Sequence, residues 1–211
     1  MSYPTLRLHP RKEESVLRFH PWIFSGAIAS FSAPVEDGDL VSVVDSKGRP
    51  LGTGHFGGGS IAVRLLSFEA EEVIDRAFYK RRLEAALRLR LSCDLVRPVG
   101  SSDSPNTTYR LVHGEGDSLP GLIIDIYDRT AVVQAHSLGM HQARQTIAEV
   151  LWEVFAEAGD PVLPLEGVYY KSETTLPTRD MRELASDGFL IGHTEAAPIY
   201  ENGVRFTPDW L

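Results

Sequence analysis

The sequence predicts an α+β protein in which a small β-rich module precedes a mixed domain. Four short apolar runs, separated by turn signals such as VEDGD and DSKGRP, occupy residues 27–31, 40–44, 51–55 and 61–67. Such spacing is typical of a small barrel or sandwich. Two later segments, residues 71–91 and 141–158, carry apolar residues at helical spacing, and short strands lie between and after them.

Composition limits the class of protein. With 211 residues, of which 43% are hydrophobic and 24% charged, the chain suits two small soluble domains. No apolar run approaches the roughly 20 residues of a membrane-spanning helix, and the N-terminus lacks the apolar stretch of a secretory signal. The single cysteine, Cys93, excludes an internal disulfide and argues against a cysteine-based zinc site. We therefore expect a cytoplasmic protein without membrane contact.

The net charge of -8 hides an uneven distribution. Residues 1–74 carry 7 basic and 9 acidic groups, residues 75–120 carry 8 and 6, and residues 121–211 carry 6 and 14, so most of the negative charge is C-terminal. Two basic clusters are Arg7, Arg11, Lys12 and Arg18 with His9 and His20, and Lys80, Arg81, Arg82, Arg88 and Arg90. These clusters could contact phosphates, or they could be ordinary solvated surface charge.

The segment RLVHGEGDSLPGLIIDIYD, residues 110–128, predicts a hairpin with a polar tip. His113, Glu115 and Asp117 alternate with glycines between two β-forming arms. The three side chains could bind a metal or act as acid and base, yet no second cluster of ligands accompanies them, so we assign no metal and no catalytic residue. The alternative is that they fix the hairpin.

Two other segments attract attention. The glycine-rich FGGGS at residues 56–60 lacks the lysine and the strand-to-helix context of a phosphate loop, so it predicts a hairpin turn. In RFHPWIFSGAI, residues 18–28, we expect Trp22 and Phe24 to be core residues that anchor a strand, with Arg18 and His20 as exposed contacts.

Five segments occur along the chain in this order: RFHPWIFSGAI, GDLVSVVDSKGRPLGTGHF, SIAVRLLSF, RLVHGEGDSLPGLIIDIYD and IYENGVRFTPDWL. Together they resemble the N-terminal half of the S-adenosylmethionine-dependent methyltransferases that modify carbon 5 of a cytosine in 23S rRNA. The resemblance implies a PUA-like RNA-binding β-barrel at residues 1–70 and a central α+β domain at residues 71–200. Residues 201–211 would start the family's Rossmann-like methyltransferase domain, which we expect to be absent. S-adenosylmethionine is the cofactor of the full-length family, so we expect none in this chain and no methyl transfer by it alone.

The resemblance implies RNA as the partner, 23S rRNA in particular, and a homodimer of the full-length protein. The expected RNA contacts are Arg11, Lys12, Arg18, His20 and Arg64. Glu115 and Asp117 would border the substrate cleft, or only shape the hairpin. Two alternatives remain open: a stand-alone RNA-binding adaptor whose acidic C-terminal half engages a protein, and a hydrolase that uses His113, Glu115 and Asp117.

Overall fold

The computed structural model describes residues 3–177 and 186–208, and its N-terminal part is a mixed six-stranded sheet. The strands are β1 (Thr5–Leu8), β2 (Trp22–Phe24), β3 (Ile28–Phe31), β4 (Leu40–Val44), β5 (Pro50–Phe56) and β6 (Ile61–Ser67). Their order in the sheet is β2-β6-β5-β4-β1-β3. We call residues 5–67 the β module.

The β module is curled into a barrel. Its two edge strands, β2 and β3, are consecutive in sequence, and the link between them is too short to span a flat sheet. Only the turn Ser25–Ala27 joins β2 to β3, although these strands end the sheet on opposite sides. Six flat strands would span about 24 Å, at about 4.8 Å for each neighbouring pair. A link of this length reaches at most about 14 Å. The sheet therefore rolls up around the module's own core, which contains Leu6, Leu8, Val16, Ile23, Val41, Val43, Leu51, Val63 and Leu65.

Helix α1 (Arg76–Ser92) leads from the β module into the central domain. It begins later than the predicted residue 71 because the Asp75 carboxylate caps it, accepting a 2.9 Å hydrogen bond from the Phe78 N–H. Its apolar face, which includes the fully buried Phe78 and Leu83, joins the large core of the central domain. The helix thereby attaches the two parts to each other.

The central domain contains a five-stranded sheet in the order β11-β10-β9-β8-β7. Its strands are β7 (Thr108–His113), β8 (Leu122–Tyr127), β9 (Thr130–Ala135), β10 (Gly167–Tyr170) and β11 (Gly188–Gly192). Strands β7, β8 and β9 form an antiparallel meander, and β11 pairs antiparallel with β10. Two consecutive helices, α2 (Leu138–Gln142) and α3 (Arg144–Ala158), cross from β9 to β10.

This crossover corrects part of the predicted fold class. Strands β9 and β10 are parallel, with Thr130 opposite Gly167, and α2 and α3 lie between them in sequence. A parallel strand pair with a helical crossover is the unit from which Rossmann-like sheets are built. The predicted fold class, α+β with the family's Rossmann-like methyltransferase domain absent, is therefore wrong. The parallel pairing was missed because β9 and β10 are more than 30 residues apart in sequence.

The last described strands form a separate hairpin, β12 (Ile199–Glu201) and β13 (Val204–Phe206). Backbone bonds attach it to the start of β7, since the Thr107 N–H donates to the Tyr200 carbonyl at 2.9 Å. The sequence also indicates a short helical piece near Arg179 to Ala185. That piece and the end of the predicted segment 201–211 lie outside the described residues. None of the helices in the described part of the chain has the length and apolar character needed to cross a membrane.

The β module and the central domain share a tightly packed contact. Gly139 of α2 lies so close to the buried His55 ring of β5 that a methyl group at residue 139 would overlap that ring. Leu66 of β6 belongs to the core of the central domain. The Ile74 N–H also donates to the Tyr3 hydroxyl at 2.9 Å. These contacts set the position of the junction between the two domains.

Candidate nucleic-acid interface

The loop between β1 and β2 presents the predicted cations to solvent. Arg11, Lys12 and Arg18 are all exposed, whereas Val16 from the same loop is buried in the β-module core and anchors it. Arg18 forms a 3.7 Å ion pair with Glu14, in which both side chains are mostly exposed. Exposed pairs of this kind contribute little, so Arg18 can readily exchange its partner for a phosphate.

His20 is exposed, as expected, and its ring also contacts Trp22. Its Nδ1 accepts a hydrogen bond from the Trp22 N–H at 3.2 Å, and its ring packs edge-on against the Trp22 indole. The residue is exposed, but the ring also shapes the turn into β2. When Nδ1 accepts in this way, the protonated Nε2 is the nitrogen left to donate to a ligand.

The two segments that define the family resemblance meet at the domain junction. The Trp22 indole N–H donates to Glu115 Oε1 at 2.6 Å, which links β2 to the short turn Gly114–Asp117 after β7. Trp22 is half-buried, so the expectation that it lies in the core is only partly met. Phe24 is 52% exposed, and Ile23 is the residue of this strand that fills the core.

Arg64 lies in the same junction, half-buried on β6. Its guanidinium makes no hydrogen bond or ion pair with any residue that the structure describes. Burial lowers the pKa of Arg64, and the nearby Glu115 carboxylate partly opposes this by raising the pKa. Burial of this cation without a direct ion pair is unfavourable, and an anionic ligand that contacts it would stabilise it.

Around Arg64 the junction forms a cleft of about 390 Å³ between the β module and the sheet of the central domain. Arg110 and His136, which the sequence did not single out, line it together with Trp22 and Glu115. Arg110 is held by Asp125 through contacts of 2.8 and 3.0 Å. Burial, followed by the charge of Arg110, lowers the pKa of His136, which favours its neutral ring. The only sequence signal for Arg110 and His136 as cleft residues was their position in or beside the motifs that carry the family resemblance.

Asp117 has a structural role in the hairpin. Its carboxylate pairs with both terminal nitrogens of Arg90 and accepts the His113 backbone N–H at 2.6 Å. Only 4% of its side chain is exposed. Arg90 in turn donates to the Arg110 carbonyl at 2.9 Å, so this pair connects α1 to β7 and its turn.

His113, Glu115 and Asp117 do not converge on one point, as a hydrolase would require. Asp117 faces Arg90, Glu115 faces Trp22, and His113 Nδ1 lies 3.3 Å from an Arg110 nitrogen. Within residues 3–177 and 186–208, no group of three or more His, Cys, Asp or Glu side chains is arranged to hold a metal ion.

The second basic cluster, on α1, is largely paired within the protein. Lys80 contacts Glu153 and Glu157 of α3, Arg81 lies 2.6 Å from Glu72, and Arg82 donates to the Leu66 carbonyl at 3.2 Å. These contacts favour the interpretation of this cluster as structural and surface charge. The FGGGS segment, for its part, is the turn between β5 and β6, which confirms the predicted hairpin.

Comparison with known proteins agrees with the motifs. Residues 6–68 match the family described as PUA-like domain. Proteins named ribosomal RNA large subunit methyltransferase I are 36% identical over 207 residues in Shewanella amazonensis and 32% identical over 210 residues in Klebsiella pneumoniae. The alignments cover 97% and 98% of this chain. The chain is a homologue of these methyltransferases. The resemblance predicted from its motifs is confirmed.

Solved structures agree on the fold. "A putative SAM-dependent methyltransferase" from Streptococcus mutans superposes with a TM-score of 0.73 at 18% identity, covering 98% of this chain and 48% of that one. A second methyltransferase structure, described as complexed with SAH, gives the same TM-score at 17% identity. At such identities the likeness concerns the fold alone.

The chain spans about half the length of the curated relatives it matches, 48% for those in Shewanella and Klebsiella. This coverage overturns the prediction that the methyltransferase domain is absent from the protein. A chain that aligns along nearly its whole length with half of a longer protein provides no information about the other half.

Proposed function

We propose that this chain is the RNA-recognition part of an S-adenosylmethionine-dependent methyltransferase that modifies a cytosine at carbon 5 in 23S rRNA. One observation carries the proposal: the exposed cations Arg11, Lys12 and Arg18 of the PUA-like module lie on a loop that leads, through His20 and Trp22, to the cleft containing Arg64. The homologues named as rRNA methyltransferases supply the substrate class.

The chemistry of this surface suits an RNA backbone. Arginine and lysine bind phosphates by charge, and arginine also donates hydrogen bonds in a planar fork. Arg11, Lys12 and Arg18 are exposed, so they reach phosphates without a change in the fold. Arg64 is partly desolvated, which strengthens any contact it makes with an anion. The loop cations would bind the phosphates of the RNA strand, and Arg64 would fix the position of the RNA at the junction.

Glu115 has a positioning role in this proposal. Its carboxylate accepts the Trp22 indole N–H at 2.6 Å and lines the same cleft as Arg64, so it links the two domains. Asp117 supports the same turn through Arg90. Glu115 therefore borders the proposed RNA-binding surface, whereas the buried Asp117 side chain supports the turn that carries it.

The stand-alone adaptor is less well supported. That hypothesis requires the acidic C-terminal half to bind a protein partner. However, Glu153 and Glu157 of α3 already form ion pairs with Arg76 and Lys80 of α1. The cytoplasmic location remains an expectation from composition, and the homodimer of the full-length protein remains an implication of the family resemblance.

Charge removal on one loop tests the proposal. The triple variant Arg11→Ala, Lys12→Ala, Arg18→Ala should weaken binding of a 23S rRNA fragment by about 10- to 100-fold at low salt, because up to three phosphate contacts are lost. A matched control, Lys47→Ala, Arg88→Ala, Arg205→Ala, removes the same charge from exposed positions elsewhere and should bind almost as tightly as the native chain. Equal losses in both variants, measured by fluorescence anisotropy, would reject a localised RNA surface.

A further inference from the structure

Phe19 is the most exposed large apolar side chain in the described part of the chain, with 74% of its surface open to solvent. Scattered exposed apolar residues are ordinary on protein surfaces. Phe19 differs from them in its backbone conformation, in the support of its ring and in its neighbours.

The backbone of Phe19 adopts the left-handed conformation, with φ 61° and ψ 27°. It closes the short turn Val16–Arg18, and its N–H donates to the Val16 carbonyl at 2.9 Å. A bulky residue is strained at positive φ, whereas glycine takes this position without strain. The local fold therefore requires the backbone shape but does not require a phenyl ring. The sequence retains an exposed ring at a position where glycine would serve the backbone better.

The ring is supported from one side. Phe68, which follows β6 and packs against the β-module core, meets it edge-on at 5.3 Å between ring centroids and an interplanar angle of 73°. This contact limits the rotation of the Phe19 ring and leaves most of its surface accessible. A flat apolar surface held in a fixed orientation loses little conformational freedom when a ligand stacks on it.

The loop that carries Phe19 also carries three exposed cations. Arg11, Lys12 and Arg18 on the same loop are exposed, with Glu13 and Glu14 as the acidic residues between them. Within the described loop 9–21, Leu17 is the other large apolar side chain that is exposed. An aromatic ring beside arginine and lysine is the arrangement by which proteins bind single-stranded nucleic acid, with the base on the ring and the phosphates on the cations.

We propose that Phe19 is a stacking platform for one unpaired base of the bound RNA, with the neighbouring cations holding the flanking phosphates. The proposal rests on the proposed function and adds to it a ligand class, single-stranded RNA, and a contact that charge alone does not provide. A base in a duplex is stacked on its own neighbours and cannot cover the ring. The chain should therefore prefer unpaired RNA to duplex RNA.

The test compares Phe19→Ala with the native full chain on a single-stranded RNA of about 12 nucleotides and on its blunt duplex. Anisotropy should show that Phe19→Ala weakens single-strand binding by about 5- to 150-fold, the factor that loss of one base–aromatic stack represents. Duplex binding should change by less than about twofold, because the ring does not contact a paired base. The dependence of affinity on salt should stay the same because no charge is removed.

Three further variants separate stacking from other roles. Phe19→Tyr keeps an aromatic face and should bind nearly as the native chain does, whereas Phe19→Leu keeps an apolar side chain but should bind as weakly as Phe19→Ala. The matched control is Phe31→Ala, since Phe31 is also exposed and also supported edge-on by a phenylalanine, Phe56, at 5.4 Å. It should leave RNA binding unchanged. Phe19→Gly should unfold at the same temperature as the native chain or higher, since the backbone strain is removed.

The outcomes are distinguishable. If the native chain binds single-stranded RNA in a salt-dependent way and Phe19→Ala binds it equally well, the stacking proposal is overturned and the proposed function stands. If the native chain binds neither RNA, both are overturned. If Phe19→Ala abolishes self-association seen by sedimentation but leaves RNA binding unchanged, the ring packs against protein, which also overturns the stacking proposal.

Discussion

His55 is a buried residue at the contact between the β module and α2, and its protonation is coupled to folding. Burial, with a smaller contribution from the charge of Arg64, lowers its pKa from 6.5 to about 4. Its Nδ1 has no hydrogen-bond partner among the described residues. The fold therefore accepts the neutral ring and disfavours the charged one.

A dependence of stability on pH follows from this shift. Above pH 6.5 the ring is neutral in both states and the stability is fully present; as the pH falls from 6.5 to about 4, the unfolded chain takes up a proton that the folded chain does not. We expect this residue alone to remove about 3 kcal/mol from the free energy of unfolding across that range. Urea unfolding at a series of pH values should show the loss in the native chain.

The matched variants for this measurement are His55→Gln and His9→Asn. His55→Gln should lack this part of the pH dependence, even if its stability at pH 7 is lower. His9 is exposed, and the His9→Asn variant should keep the pH dependence of the native chain. The same slope in the native chain and His55→Gln between pH 6.5 and 4 would contradict the assignment.

Glu115 and Asp117 lie two residues apart on one turn, yet their substitutions should differ strongly. Asp117→Asn leaves Arg90 buried without its counter-charge, and only 10% of the Arg90 side chain is exposed, so we expect a loss of about 3–5 kcal/mol in stability. Glu115→Gln keeps an acceptor for the Trp22 indole on an exposed side chain and should change stability by less than about 1 kcal/mol. Similar losses for both variants in urea unfolding would refute this division of roles.

Individual residues were harder to predict than the pattern around them. The sequence identified the RFHPWIFSGAI and RLVHGEGDSLPGLIIDIYD segments, but it could not show that Trp22 and Glu115 meet, because the bond joins positions 93 residues apart. Phe24 and Asp117 illustrate the same limit. Composition alone does not distinguish an exposed phenylalanine from a core one, or a carboxylate held by a distant arginine from one that faces a ligand.

At the scale of elements, α1 depends on its N-terminal cap. Asp75 accepts the Phe78 N–H, and removal of this bond in Asp75→Ala should lower the free energy of unfolding by about 1 kcal/mol. The exposed Asp103 provides a control, because Asp103→Ala removes the same charge from a loop and should have little effect. A destabilisation by Asp75→Ala no larger than that of Asp103→Ala in chemical unfolding would argue against the cap.

The helices and barrel strands followed from local signals, whereas their pairing did not. Apolar periodicity predicted a helix over residues 141–158, where the structure has α2 and α3 from Leu138 to Ala158. Runs at residues 40–44 and 61–67 coincide with β4 and β6. Sheet order depends instead on contacts between distant segments, so neither the parallel pair β1 and β4 nor the β9–β10 crossover could be derived from periodicity.

At the scale of the whole molecule, the net charge of -8 is misleading. The acidic residues of α3 are engaged with α1. We propose that the exposed cations of loop 9–21 and the guanidinium of Arg64, in the cleft at the domain junction, form one face. Binding of a polyanion depends on local charge at short range, because salt screens the more distant acidic groups within about 8 Å at physiological ionic strength. The proposed RNA surface is therefore compatible with an acidic protein.

The central claim is that this face binds RNA through its phosphates, and the salt dependence of affinity tests it most directly. For three or four phosphate contacts to single-stranded RNA, the logarithm of the association constant should fall with the logarithm of salt concentration with a slope of about -2 to -3. The variant lacking Arg11, Lys12 and Arg18 should have a slope closer to zero by about 2. An affinity that stays constant from low to high salt, or a slope that is the same in the native chain and the triple variant, would contradict the account.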